Sequence, residues 1–186
     1  MQFWIVKQEP TSYSWNDFVQ EKITSWTGVR NYEARNNLAR MKKGDSVLFY
    51  HSGADKAVVG VATIARAAYE DPTSDDKRWV AVDLKVGRPL GIPVTLEAIK
   101  NEPSLQNIAL LKRSRLSVLP LLKEQFEVIV SLGDLSELLQ ESARRLSDPD
   151  TRKASPKKKR SASAKNSAKP RARKTGATTK TEGRKK

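Results

Sequence analysis

Residues 151–186 of this 186-residue chain contain no apolar side chain larger than alanine. Such a segment cannot bury enough surface to offset the entropy that a chain loses on folding. The composition changes near Asp148–Pro149, and upstream of this point the sequence is mixed and periodic. We therefore predict a folded domain at 1–133, a helical extension at 134–148 with Asp134 as its N-cap, and a disordered basic tail at 149–186.

The charge divides at the same place. Residues 1–150 hold 20 Lys and Arg against 20 Asp and Glu, whereas residues 151–186 hold 15 against 1, which accounts for the net charge of +14. Repeated cations between small residues and proline are suited to nucleic-acid phosphates, and binding of this kind weakens steeply with salt. The candidate phosphate-binding residues of the tail are Lys157, Lys158, Lys159, Arg160, Arg171, Arg173 and Lys174. A solubility tail or a nuclear import signal is the alternative interpretation.

Several classes of protein are excluded by residue types that are rare or missing. There are no cysteines and one histidine, so disulfides, thiolate zinc sites and histidine-rich metal sites are excluded. No apolar run is long enough to span a membrane, and the N-terminus does not have the pattern of a signal peptide. We expect an intracellular protein without cofactor or metal, located in the cytoplasm or nucleoid of a bacterium or in the nucleus of a eukaryote, and monomeric.

Short β-branched and aromatic runs predict five strands, at 2–7, 45–51, 57–67, 78–86 and 114–120. Helices are predicted at 15–21, 31–41, 95–101 and 120–131, with Ser14 and Thr95 as N-caps. Strands that alternate with helices in this way indicate an α+β fold, in which a small barrel of five to six strands or a strongly bent sheet is flanked by helices.

Residues 27–52, "TGVRNYEARNNLARMKKGDSVLFYHS", crowd polar side chains around one predicted helix. At 100° per residue, Ala34, Leu38 and Met41 form a buried stripe, and Asn31 and Arg35 lie at its rim. The functional interpretation is a concave site with aromatic faces from Trp26 and Trp79 and hydrogen-bonding groups from Arg30, Asn31, Arg35, His51 and Ser52. The alternative is a surface helix whose arginines pair with Glu33 or Asp45, with Trp26 in the core.

This stretch resembles the signature of the EVE domain family, and four further pieces match that family in order. They are "FWIVKQEP" (3–10), "VVGVATIARAAYEDPT" (58–73), "RWVAVDL" (78–84) and "LLKRSRLSVLPL" (110–121). The resemblance covers residues 1–133 and implies a PUA-like barrel. It also implies a DNA-binding reader that recognises a modified base, most often a modified cytosine such as 5-methylcytosine, in a pocket entered by base flipping.

The same resemblance assigns candidate pocket residues, motif by motif. They are Lys7, Gln8, Trp26, Arg30, Asn31, Arg35, Asn36, His51, Ser52, Trp79, Arg115, Leu116 and Ser117. Gln8 stands where the family usually has Ser, so the size of the pocket and the modification that it prefers are expected to differ. Alternation along a strand sends Lys7 and Gln8 to opposite faces, which favours one of the two as a pocket residue.

Three functional hypotheses follow. The first is a non-enzymatic reader of modified bases in DNA, with RNA as a variant. The second is an enzyme that processes nucleic acid, since some PUA-like relatives are nucleases, although the sequence shows no Ser-His-Asp, Cys-His or metal-ligand arrangement. The third is an architectural protein that coats DNA through its tail.

Overall fold

A computed structural model of the chain describes residues 1–134, which form a six-stranded mixed sheet flanked by helices. The strands are β1 (Phe3–Gln8), β2 (Ile23–Trp26), β3 (Ser46–His51), β4 (Ala57–Glu70), β5 (Val80–Thr95) and β6 (Val118–Leu121). The helices are α1 (Trp15–Glu21), α2 (Tyr32–Arg40), α3 (Leu96–Asn101), α4 (Ala109–Lys112) and α5 (Lys123–Gly133), with a 3-10 turn at Pro103–Leu105. The predicted extension and tail lie outside the described residues, so the divisions of the chain stay predictions.

The strand order is β2-β5-β4-β3-β1-β6. β1 pairs in parallel with β3, and the other four pairings are antiparallel. The predicted fold class is confirmed, but the sheet is not closed into a barrel, because within residues 1–134 β2 and β6 remain its two edges. Bulges at four places between β4 and β5 bend this long pair.

The parallel pair β1–β3 positions the site. Its register places Gln8 opposite His51, so the two strands end at the same level of the sheet. At these strand ends, the amide of Lys7 donates to the carbonyl of Ser117 over 2.8 Å, and the amide of Ser52 donates to the carbonyl of Gln8 over 2.8 Å. The last residues of β1 are therefore fixed from both sides of the strand.

The core lies between the sheet and the helices. Ala34, Leu38 and Met41 are buried, which confirms the predicted stripe of α2. Trp4 and Phe49 are among the largest side chains that are fully buried. Both predicted N-caps are confirmed: the Ser14 hydroxyl accepts from the amide of Asp17, and the Thr95 hydroxyl accepts from the amide of Ala98.

Some predicted boundaries are wrong. β5 continues to Thr95 instead of ending at 86, although it contains Pro89 and Pro93. β2 pairs with β5 only up to Lys85, so the rest of β5 lacks that neighbour, and prolines are tolerated on such an edge. β6 begins at Val118, and the short elements β2 and α4 were not predicted. Among the described residues, no helix is long and apolar enough to cross a membrane.

Candidate functional site

A cavity of about 470 Å³ opens beside the end of β1. Its size lies within the range of small-ligand sites. The lining comes from three parts of the chain: the end of β1 with the loop that follows, β2 with the turn into α2, and the segment before β6. The lining residues are Lys7, Gln8, Tyr13, Thr24, Ser25, Trp26, Thr27, Gly28, Val29, Arg30 and Ser117.

Lys7 and Gln8 both border the cavity, although they are neighbours on β1. The ammonium of Lys7 donates to the carbonyl of Ser114, and partial burial lowers the pKa of Lys7 below its ordinary value. The amide of Gln8 offers a donor and an acceptor, whereas Lys7 offers donors only.

Trp26 belongs to both the cavity and the core. It is 8 % exposed, and its ring meets Phe49 edge-on with the centroids 5.7 Å apart. The same residue lines the cavity from the end of β2. The two interpretations of Trp26 from the sequence, aromatic wall and core residue, are therefore compatible.

Arg30 is fixed at the cavity edge by a buried carboxylate. Its guanidinium lies 2.6 Å from Asp71, whose side chain is fully buried, and it also donates to the hydroxyl and carbonyl of Thr73. Asp71 accepts from the amide of Gly28 over 2.9 Å as well, and Gly28 has a φ of 75° that favours glycine. Burial alone would raise the pKa of Asp71, but hydrogen bonds from Arg30, Thr73 and Gly28 lower it to about 2.

Two hydroxyl groups of the cavity lining donate hydrogen bonds to carboxylates. The phenol of Tyr13 donates to Glu21 over 2.6 Å, and burial together with this hydrogen bond raises the pKa of Tyr13 to about 12. The hydroxyl of Ser25 donates to Asp83 over 2.9 Å, and so does the phenol of Tyr69 over 2.6 Å. The cavity is therefore lined by neutral hydroxyl groups as well as by the cations Lys7 and Arg30.

Five of the thirteen candidates from the sequence line this cavity, namely Lys7, Gln8, Trp26, Arg30 and Ser117. Trp79, Arg35 and Asn36 lie outside it, in a cluster on the surface of α2. There the Trp79 ring lies 5.1 Å from that of Tyr32, and Arg35 donates to the Asn36 side chain over 2.6 Å. Arg30 connects the two regions, because its guanidinium lies 5.6 Å from the centroid of Trp79.

The remaining candidates have other neighbours. His51 is buried, and its Nε2 accepts from the amide of Trp15 over 3.0 Å, while Ser52 follows it in the chain. Asn31 caps α2 by accepting from the amide of Ala34. Asn31 also lines a second, shallower groove together with Arg115 and Leu116, of which Leu116 is 5 % exposed.

The arginine pairing of the alternative interpretation is not observed. Arg30 pairs with Asp71 and not with Glu33 or Asp45. Glu33 instead pairs with Arg113 over 2.8 Å. Asp45 accepts from the indole of Trp4 and from the amides of Gln2 and Lys42.

Six lining residues were not predicted from the sequence: Tyr13, Thr24, Ser25, Thr27, Gly28 and Val29. Four of them lie on or beside β2, a strand of four residues that carries no long apolar run. Within residues 1–134, no group of three or more carboxylate or imidazole side chains is placed to hold a metal ion.

The family model of the EVE domain matches residues 2–132. The chain belongs to the EVE domain family. The family resemblance of the sequence is thereby confirmed. Thymocyte nuclear protein 1 of Mus musculus is 35 % identical, over 71 % of this chain and 74 % of the mouse protein.

Solved structures of EVE relatives have the same fold. A protein from Rhodopseudomonas palustris, solved by NMR, is 43 % identical with a TM-score of 0.69, covering 72 % of this chain and 93 % of that one. Human THYN1 was crystallised in complex with DNA that contains 5-methylcytosine. It is 30 % identical with a TM-score of 0.66, covering 72 % of this chain and 98 % of the human one.

Proposed function

We propose that this EVE protein binds nucleic acid and holds a modified base, a modified cytosine in DNA, in the cavity beside β1 and β2. The observation that carries the proposal is the cavity itself, in which a tryptophan wall stands next to hydroxyl, amide and ammonium groups. The DNA complex of human THYN1, a relative of the same fold, supports the choice of base and of nucleic acid.

The chemistry of the lining suits the polar edge of a base. A base stacked inside a duplex cannot reach a pocket, so it must leave the stack or come from a single strand. In this proposal the ring of the base lies against Trp26, and its polar edge meets Lys7, Gln8 and the hydroxyl of Ser117. Lys7 can donate to ring acceptors, while the Gln8 oxygen can accept from the exocyclic amine of cytosine.

The described domain and the tail have different tasks in this proposal. Residues 1–150 have no net charge, whereas residues 151–186 carry +14. The tail would supply most of the phosphate binding, and the cavity would supply the preference for a base. One methyl group is worth about 1–3 kcal/mol of discrimination, so a preference of about tenfold or more is expected.

The test uses two serines of one segment. Ser117 lines the cavity, whereas Ser114, three residues earlier, does not. In Ser117→Phe the new ring would occupy part of the cavity, and Ser114→Phe is the matched control. Affinities of the full chain for matched oligonucleotides with cytosine, 5-methylcytosine or 5-hydroxymethylcytosine are measured by fluorescence anisotropy.

We expect the wild type and Ser114→Phe to prefer a modified oligonucleotide and Ser117→Phe to bind all three equally. Equal affinities of the wild type would refute a modified-base reader. A preference that survives in Ser117→Phe would place the base elsewhere.

A further inference from the structure

We infer that the aromatic pair Tyr32 and Trp79 forms a second subsite, which stacks the unpaired base next to the one held in the cavity. This inference rests on the proposed function, and it assigns Trp79 and Arg35 to that second base. The ligand class is a nucleic-acid strand whose neighbouring base is free to leave its partner.

The aromatic pair is partly exposed to solvent. Tyr32 is 55 % exposed at the first position of α2, where helical geometry does not require an aromatic residue. Its ring is tilted by 30° against that of Trp79, with the centroids 5.1 Å apart. An isolated exposed aromatic needs no explanation, but two neighbouring rings, one of them more than half exposed, offer a surface on which an unpaired base can stack.

Two guanidinium groups lie beside these rings. Arg30 lies 5.6 Å from the centroid of Trp79, and Arg35 lies 5.6 Å from that of Tyr32. Arg35 donates to the carbonyl of Arg78 and to the side chain of Asn36, and in the described part of the chain it forms no ion pair. Its charge is thus available to a phosphate, and planar guanidinium groups also stack on bases.

The carboxylates of the described residues near this surface already have partners: Asp71 pairs with Arg30, and Glu33 pairs with Arg113. Asp76 is in electrostatic reach of Arg35, but it is already held by two nitrogens of Arg78 at 2.8 to 3.0 Å. These ion pairs leave the region around Tyr32 with the excess positive charge of Arg35. A strand of nucleic acid therefore meets rings and a cation there.

The aromatic pair lies next to the cavity. Arg30 lines the cavity and contacts Trp79 as well, so the two regions share one side chain. Arg30 is itself fixed by the 2.6 Å ion pair with Asp71. A strand whose modified base enters the cavity would pass this fixed arginine before its next base meets the rings.

The experiment compares single-stranded oligonucleotides that carry one 5-methylcytosine. Two further oligonucleotides carry an abasic site in place of the base on one side or the other of the 5-methylcytosine. The full chain is measured as wild type, as Tyr32→Ala and as Tyr32→Phe, which keeps the ring. The ratio of affinities for 5-methylcytosine and cytosine is measured for each protein with the intact oligonucleotide.

We expect the abasic site on one side to weaken binding by the wild type about 5- to 150-fold, in line with the stacking of one base. Tyr32→Phe should show the same loss, and Tyr32→Ala should show little or none. The inference is overturned if the wild type is insensitive to both abasic sites, or if Tyr32→Ala remains as sensitive as the wild type.

The two proposals fail in different ways. A wild type that does not distinguish 5-methylcytosine from cytosine refutes the proposed function. An unchanged preference in Tyr32→Ala, together with the lost sensitivity to the neighbouring base, supports a second subsite that is separate from the cavity. Thermal unfolding of each variant checks that the exposed substitution leaves the fold intact.

Discussion

Replacing Asp71 by Asn should destabilise the protein and loosen one edge of the cavity. Asp71 is buried and holds Arg30, Thr73 and the amide of Gly28. The hydrogen bonds to these groups lower its pKa from 3.8 to about 2. At about 1.4 kcal/mol per pH unit, this difference corresponds to about 2 kcal/mol of unfolding free energy at neutral pH.

The sign of the pH dependence follows from the lowered pKa. Because the carboxyl of Asp71 loses its proton more readily in the folded protein, its stabilisation is complete above about pH 4. It is lost as the pH falls through about 2. Urea unfolding of the wild type and Asp71→Asn, followed by tryptophan fluorescence from pH 2 to pH 7, should show two curves that differ by about 2 kcal/mol at pH 7 and converge in acid.

Asp76→Asn is the matched control. Asp76 belongs to the same loop, pairs with Arg78 over 2.8 Å and also has a pKa of about 2, lowered by hydrogen bonds from Arg78. This ion pair is exposed to water, which weakens its contribution, so a clearly smaller loss is expected. Equal losses in the two variants, or an unchanged stability of Asp71→Asn, would refute the argument from burial.

Three further predictions follow from single contacts. Gln8→Ser should change the ranking of modified cytosines by up to about 1–3 kcal/mol, because Gln8 lines the cavity; an unchanged ranking in anisotropy titrations would make Gln8 neutral. His51→Ala should lower the free energy of unfolding in urea by about 1–3 kcal/mol, because the buried amide of Trp15 loses its acceptor. The base preference should stay, and a lost preference in a folded variant would contradict this. Gly60→Ala should lower the free energy of unfolding by about 1–3 kcal/mol, since the added Cβ would overlap the Trp15 ring. An unchanged melting temperature would show that the ring moves freely.

The periodic elements of this fold were predictable from sequence. The stripe of Ala34, Leu38 and Met41 follows from helical spacing, and the caps of Ser14 and Thr95 follow from side-chain chemistry. β2 was not predictable, because four residues with two hydroxyl side chains are too short for an alternating pattern. The long β5 was predicted only for its alternating part, which ends at 86, whereas in the structure the strand continues through Pro89 and Pro93 where it lacks β2 as a neighbour.

The candidate site was predictable in composition more than in arrangement. Motif resemblance named Trp26, Arg30 and Trp79 together, whereas the structure separates a cavity from a surface pair and connects them through Arg30. Tyr13 has no local pattern that marks it, because it reaches the cavity through tertiary packing and its hydrogen bond to Glu21. Tertiary contacts of this kind leave no trace in the spacing of residues.

The most direct test of the base-binding cavity is an NMR titration of the isotope-labelled chain with a short oligonucleotide that carries one 5-methylcytosine. We predict that the indole signal of Trp26 and the amide signals of Lys7, Gln8 and Ser117 shift, and that they saturate at a lower concentration than with the unmodified oligonucleotide. In Ser117→Phe these shifts should disappear while nonspecific binding remains. Binding that leaves the Trp26 indole and these amides unshifted would contradict the proposal that the cavity holds the base.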